Sequence, residues 1–231
     1  MASNLSENFT RYDQKLEFIL RTAARIFAEK GYHSTSMRDI SRETQVSLAG
    51  LYHYCRSKEE LLYLIQDNCF RRVLERLDER LQEAKGGIEK LRLVIENHLS
   101  FFAANMAEMK VLSHEADSLA GEMYDHVSGK KQQYTQFVRR ILSEVQQQQV
   151  TEHARQKVDL TVATYALFGM MNWIYNWYDP HGKLSVNDLV NNITRLFLNG
   201  FLAGTMSDDE QALRPKRQSA EHLSVWRGPQ A

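Results

Sequence analysis

The chain has little of what most frameworks other than plain helical ones require. Three prolines in 231 residues, and almost no alternating Val/Ile/Thr segments, leave no basis for a strand-rich fold. Two cysteines, Cys55 and Cys69, make neither a disulfide framework nor a metal quartet and suit a reducing compartment. No run of 18 apolar residues occurs, and the start "MASNLSENFTRYDQK" has no apolar h-region. A cytoplasmic protein with no membrane partner is expected. Charge of either sign is not in excess either: 29 basic residues balance 29 acidic ones, so any surface for a polyanion must be local.

The fingerprints of common enzymes are missing as well. There is no G-x-S-x-G, no phosphate-binding loop and no dinucleotide motif, so no catalytic residue and no cofactor is assigned. His98, His114, Glu115, Asp117 and His126 could approach one another across helices, but no H-x-x-x-H pair or cysteine supports a metal site, and none is assigned.

What is present is helical periodicity. Leu16, Ile19, Leu20, Ala23, Ala24, Phe27 and Ala28 recur three and four apart on one face, and Gly31 stops that helix. "STSMRDIS" opens a second, short helix with Ser36 as N-cap and Asp39 as its capping-box partner. Gln45 and Val46 form a turn, Ser47 caps a third helix ending near Tyr54, and Ser57 with Glu60 forms an S-x-x-E box opening a fourth. Two short helices joined by a tight turn behind a longer support are the outline of a helix-turn-helix. Between Arg11 and Lys58, nine basic residues stand against five acidic ones, a local polarity compatible with phosphate contact. "VSLAGLYHYCRSKEELL" has no carboxylate before Glu59; Ala49 and Gly50 let a backbone come close to base edges, while Ser47, Tyr and His side chains supply hydrogen bonds.

The stretch "ILRTAARIFAEKGYHSTSMRDISRETQVSLAGLYHYCRSKEELL" resembles the DNA-binding domain of the TetR family of bacterial transcriptional regulators, a match over about residues 16 to 62. The resemblance implies phosphate contacts at Ser36, Tyr52, Tyr54 and Lys58 and base contacts at Ser47, Leu48, Ala49 and Gly50. Arg38 and His53 complete the candidate DNA-facing set; His53 packs, touches a phosphate or reads a base. Cys55 departs from the family, which often has Phe there: it is a small packing group or, on a sharper reading, a redox sensor.

Beyond Gly86-Gly87, which break the fourth helix, "IEKLRLVIENHLSFFAANMAEMKVL" carries further helical stripes, and another helix runs from about Glu122 to Val145 before a polar Gln146 to Gln149 connector. "YALFGMMNWIYNWYDPHGKLS" is apolar nearly all round, so it needs two buried faces. Asp179-Pro180-His181-Gly182 ends it, and Ser185 caps a last helix whose stripe is Leu189, Ile193, Leu196, Phe197, Phe201 and Leu202. In TetR-like proteins the last two long helices pair with their twins, implying a homodimer on a two-fold double-stranded DNA operator.

The segment "GMMNWIYNWYDPHGKLS" also resembles TetR-type regulators that respond to acyl-CoA thioesters. That resemblance implies an acyl-CoA effector, with Phe101, Phe102, Met106, Met109, Tyr134, Phe137, Met170 and Trp173 as candidate tunnel walls and Asn172 and Asn176 as polar contacts. The same stripe also reads as ordinary core. A multidrug-type sensor of aromatic or cationic compounds, with Glu115 and Asp117 as carboxylates, is the rival reading, and an acyl-CoA enzyme a further one. The expected organisation is an all-α protein: an arm over 1–12, a helix-turn-helix domain over 13–62, a ligand-binding and dimerisation domain over 63–206, and a disordered tail over 207–231, in which "RPKRQ" is an electrostatic contact and Trp226 a docking anchor.

Overall fold

In the computed structural model, which describes residues 11–82, 84–148 and 158–202, every regular element is a helix. The order is α1 (Arg11–Lys30), α2 (Met37–Thr44), α3 (Leu48–Tyr54), α4 (Lys58–Leu81), α5 (Gly87–Ala103), α6 (Met106–His114), a 3₁₀ turn (Ala116–Ser118), α7 (Gly121–Gln148), α8 (Leu160–Asn172), a second 3₁₀ turn (Trp173–Asn176) and α9 (Val186–Leu202). The all-α class read from the sequence holds. Residues 1–10 of the expected arm and the whole 207–231 tail, with "RPKRQ" and Trp226, lie outside the described residues.

Local chemistry sets the boundaries. Gly31 adopts φ +84°, the left-handed region where a side chain is strained, so α1 stops there. Ser36 and Asp39 form the full reciprocal capping box of α2, and Ser47 Oγ accepts from the Gly50 N–H to open α3. At α4 the expected box is altered: Ser57 accepts from Glu60 N–H, but the Glu60 carboxylate takes the backbone N–H of Arg56 rather than that of the cap residue. Ser185 and Asp188 supply a box for α9 that follows the same pattern as at α2.

Three expectations need correction. Helix α7 runs on through Gln148, so the first glutamines of the supposed connector belong to a helix. They also tie neighbours together: Gln146 Nε2 donates to Val158 O at 2.9 Å, and Gln148 Oε1 accepts from Gly87 N–H at 3.2 Å. Helix α8 ends at Asn172, not at Tyr178, because the chain tightens into a 3₁₀ turn ahead of Pro180. Leu196 does not join the inward stripe of α9; it is 67% exposed while Leu189, Ile193 and Phe197 are buried.

Two cores result. One, around Ile19, Ala23, Phe27, Ile40, Leu51, Leu61 and Leu62, holds the first three helices on the start of α4. It does not close within that domain, since Val111 of α6, Leu119 and Val127 of α7 are buried in the same cluster. The other packs α4, α5, α7, α8 and α9 around Val73, Leu91, Ile95, Leu99, Val138, Leu142, Leu167 and Met171. Each such aliphatic side chain contributes about 1.5–3 kcal/mol of burial, so the N-terminal head is docked on α6 rather than tethered only through α4.

Candidate nucleic-acid interface and ligand cavity

The head presents α3 after a turn set by Gln45, a non-glycine residue at φ +53°. Ser41 Oγ donates to Val46 O at 2.6 Å and Thr44 Oγ1 to Ile40 O at 2.7 Å, closing the turn between α2 and α3. Ile40 and Leu51 have no exposed surface and pin the two helices to α1. A Cβ on Gly50 meets Val46 Cγ1 at 2.9 Å and Ser47 Oγ at 3.1 Å, so the glycine answers a close approach inside the turn as well as leaving room on its outer side.

The candidate DNA-facing residues sit on one end of this head with unequal freedom. Ala49, Tyr52, His53 and Arg38 are exposed, while Leu48 and Gly50 are half-buried. The hydroxyl of Ser36 is engaged with Asp39, and Tyr54 stacks on Tyr12 with ring centroids 4.8 Å apart. Lys58 is the least free: its Nζ donates to the carbonyls of Tyr32 and Thr35, both at 2.9 Å, and stands 4.3 Å from the Tyr32 ring centroid. Its ammonium therefore closes the turn between α1 and α2. Arg56, left out of the candidate set, is exposed; exposed Gln45 was read only as turn. Their signal was in the sequence, as the polar residues immediately flanking α3 and its exit. The Cys55 thiol is buried, donates towards Leu51 O, and burial pushes its pKa up to about 11, which keeps it protonated and packing.

Between α4, α5, α6, α7 and α8 lies a cavity of about 450 Å³. Gln66, Phe70 and Val73 come from α4, His98 and Phe102 from α5, and Met109 and Leu112 from α6. Helix α7 contributes Val127, Lys131, Tyr134 and Thr135, and α8 with its 3₁₀ extension contributes Tyr165, Phe168, Asn172, Trp173 and Tyr175. Its inner wall is buried and largely aromatic, while Asp117, Lys131, Asn172 and Trp173 stand at exposed positions around its mouth.

Of the ten candidate ligand residues, the cavity brings together Phe102, Met109, Tyr134, Asn172 and Trp173. The other five do not line it. Phe101 is turned one helical step from Phe102 and lies towards Cys69 and Asn105. Met106 faces α1, where it borders a groove with Phe18 and Arg21. Phe137 follows the last α7 lining residue and lies under Arg140, 5.8 Å from its guanidinium; Met170 packs on the C-terminal core, and Asn176 is exposed in the 3₁₀ turn. His98 was missed as a lining residue, although its i,i+4 spacing from Phe102 places both on one face.

The cavity wall touches the linkage to the head. Glu115 Oε1 accepts from the Tyr32 backbone N–H at 3.2 Å, its Oε2 accepts from Ser118 Oγ at 2.8 Å, and its carbonyl accepts from Gln66 Nε2 at 3.1 Å. Ala116 and Asp117, the next two residues, line the cavity, as does Gln66 itself. The histidines considered for a metal are instead dispersed: His114 pairs with Tyr175 Oη, His126 with Asp67 and His98 with Tyr134 Oη. Among the described residues no group of three or more His, Cys, Asp or Glu could hold a metal ion, and no helix is long and apolar enough to cross a membrane.

Residues 19–63 match the model of "Bacterial regulatory proteins, tetR family", and residues 84–201 that of "Tetracyclin repressor-like, C-terminal domain". The chain belongs to the TetR family. Its sequence is 26% identical over 186 residues to the fatty acid metabolism regulator protein of Bacillus subtilis, covering 79% of this chain and 93% of that one. It is 23% identical over 185 residues to the transcriptional repressor KstR2 of Mycolicibacterium smegmatis, covering 79% and 88%. Its fold matches the crystal structure of AibR in complex with isovaleryl coenzyme A and operator DNA, with TM-score 0.70 and 28% identity over 83% of this chain and all of that one. The protein is thus a TetR-type transcriptional regulator with a helix-turn-helix head.

Proposed function

We propose that the protein is a cytoplasmic homodimeric repressor, without enzymatic activity, released from a double-stranded DNA operator when an acyl-CoA thioester enters the cavity. The observation that carries this reading is the junction at Glu115: the same short segment walls an apolar cavity and hydrogen-bonds the turn that positions α2 and α3. An apolar guest of acyl type suits the Phe, Met and Leu surface, and Lys131, exposed at the mouth, suits a phosphate. The likeness to AibR, crystallised with isovaleryl coenzyme A and operator DNA, supports the same class of effector.

On the head, Ser47, Leu48, Ala49 and Gly50 face the bases, Tyr52, His53 and Arg38 reach bases or phosphates, and Arg56 adds a phosphate contact. Ligand and DNA favour different arrangements of the head on α6 and α4, and the coupling is reciprocal. A second reading rests on Asp117 at the mouth among Tyr124, Tyr165 and Trp173, a setting for a planar cation. Fluorescence anisotropy with the DNA upstream of the protein's own gene, titrated with a panel of acyl-CoAs and cationic dyes, separates the two. Release by a subset of thioesters at micromolar concentration supports the acyl-CoA reading; release by dyes alone transfers the cavity to the second. Turnover of a thioester by the purified protein overturns the regulator-only reading.

A further inference from the structure

His98 stands out among the cavity residues by what it lacks. It is 3% exposed and surrounded by the rings of Phe102, Tyr134 and Phe168, at centroid distances of 4.6, 6.0 and 6.0 Å. Its Nδ1 lies 3.2 Å from Tyr134 Oη, but its Nε2 is buried and makes no hydrogen bond of good geometry, although the Asn172 carboxamide is close to the ring. Among the described residues it is the only such orphaned side-chain atom that belongs to a cavity-lining residue. A buried polar nitrogen left unpaired is destabilising, so a partner arriving with a ligand is favoured.

Which proton Nε2 carries follows from its neighbour. Burial raises the pKa of the Tyr134 phenol, so it keeps its proton, and His98 Nδ1 is the acceptor in reach of it. With Tyr134 as the donor to Nδ1, the arrangement that gives its proton an acceptor, the hydrogen of the neutral ring is on Nε2. Burial also drives the imidazole pKa down to about 3, against a smaller opposing effect of the Asn172 carboxamide, so the ring is neutral. The cavity wall thus carries a neutral N–H donor among aromatic rings, and the lysine of its lining, Lys131, is exposed.

Resting on the reading of this cavity as the effector site, we propose that His98 selects ligands carrying a neutral acceptor oxygen, a thioester, ester, amide or ketone carbonyl, and discriminates against their deoxy analogues and free carboxylates. A neutral carbonyl satisfies Nε2–H. A carboxylate brought to the same point loses its hydration without gaining an opposite charge.

The test uses two matched ligand pairs on the full-length protein. Acetophenone and ethylbenzene are nearly isosteric and differ by the carbonyl; an acyl-CoA and its S-alkyl thioether differ in the same way. Binding of each is measured by calorimetry to the wild type, His98→Leu and Tyr134→Phe, and the imidazole tautomer is read in the folded wild type by ¹⁵N NMR. The ketone-to-hydrocarbon affinity ratio is expected to fall about 10-fold in His98→Leu, from the loss of one hydrogen bond, and less in Tyr134→Phe, which only unlocks the tautomer. An unchanged ratio, no binding of either small probe, or a proton on Nδ1 overturns the proposal. If the small pair shows the coupling and neither CoA compound binds, His98 still selects a carbonyl and it is the acyl-CoA effector that fails.

Discussion

Single residues of the head make contacts that motif position alone does not show. Lys58 opens α4 where a phosphate contact is expected, but its ammonium is spent on the Tyr32 and Thr35 carbonyls. Lys58→Met should lower the unfolding free energy by about 1–3 kcal/mol in a urea titration, because two half-buried carbonyls lose a charged donor. Unchanged stability together with a reduced salt slope of DNA binding would return Lys58 to the phosphate role. Asp39 gives a prediction with a pH axis. Hydrogen bonds from the Ser36 hydroxyl and then its backbone N–H, with Arg42 adding less, hold its carboxyl at about 2 against an ordinary 3.8. The folded value is depressed, so the cap's contribution is complete above the ordinary value and is lost as pH falls from about 4 towards 2. An NMR titration of the Asp39 carboxyl should show that midpoint, and Ser36→Ala should move it back towards 3.8.

At the scale of helices and turns, the head is latched as well as linked. The continuous route from Lys58 along α4 is visible in sequence as one helix, whereas the contact of Glu115 with Tyr32 joins residues far apart in the chain and has no local signature. Glu115→Ala removes the acceptor for Tyr32 N–H and leaves the cavity walls in place. The ratio of operator affinities without and with the best-releasing acyl-CoA should shrink roughly 2- to 30-fold, matching a coupling change of about 0.5–2 kcal/mol. An unaltered ratio leaves α4 as the carrier. The same contrast explains what the sequence disclosed. Caps at Ser36, Ser47 and Ser185 and the stop at Gly31 are chemistry within four residues and were legible. Which face of each stripe meets the cavity depends on how helices from distant parts of the chain rotate against one another. Phe101 and Phe102, or Met106 and Met109, therefore could not be separated by apolar character. His98, weighed in the sequence only for a metal, was not read as a cavity residue for the same reason: a lone histidine among apolar residues shows its surroundings only once Tyr134 is beside it.

For the whole molecule, the decisive surface is the one that a single subunit leaves uncovered. Val162 and Ala166 lie four apart on the outer side of α8, next to Tyr165, Gly169 and Trp173 at the cavity mouth; Val162 is 63% exposed. Leu196 on α9 is 67% exposed, and a Cβ on Gly169 meets nothing within 4 Å, so packing inside its own subunit does not demand that glycine. An apolar face exposed to water suits an interface, and in the homodimer proposed above a second copy of the chain covers it and supplies a second reading head. The double variant Val162→Arg, Leu196→Arg should sediment as a monomer while melting within a few degrees of the temperature at which each wild-type subunit loses its helices, since neither side chain is buried in its own subunit. Operator affinity should fall by at least about 100-fold, because each half-site is then bound without the effective concentration contributed by its twin. A variant that remains dimeric places the interface on another face. A monomer that keeps full operator affinity removes the need for paired heads altogether, and with it the expectation of an operator whose half-sites are spaced by about one helical turn of DNA or a multiple of it.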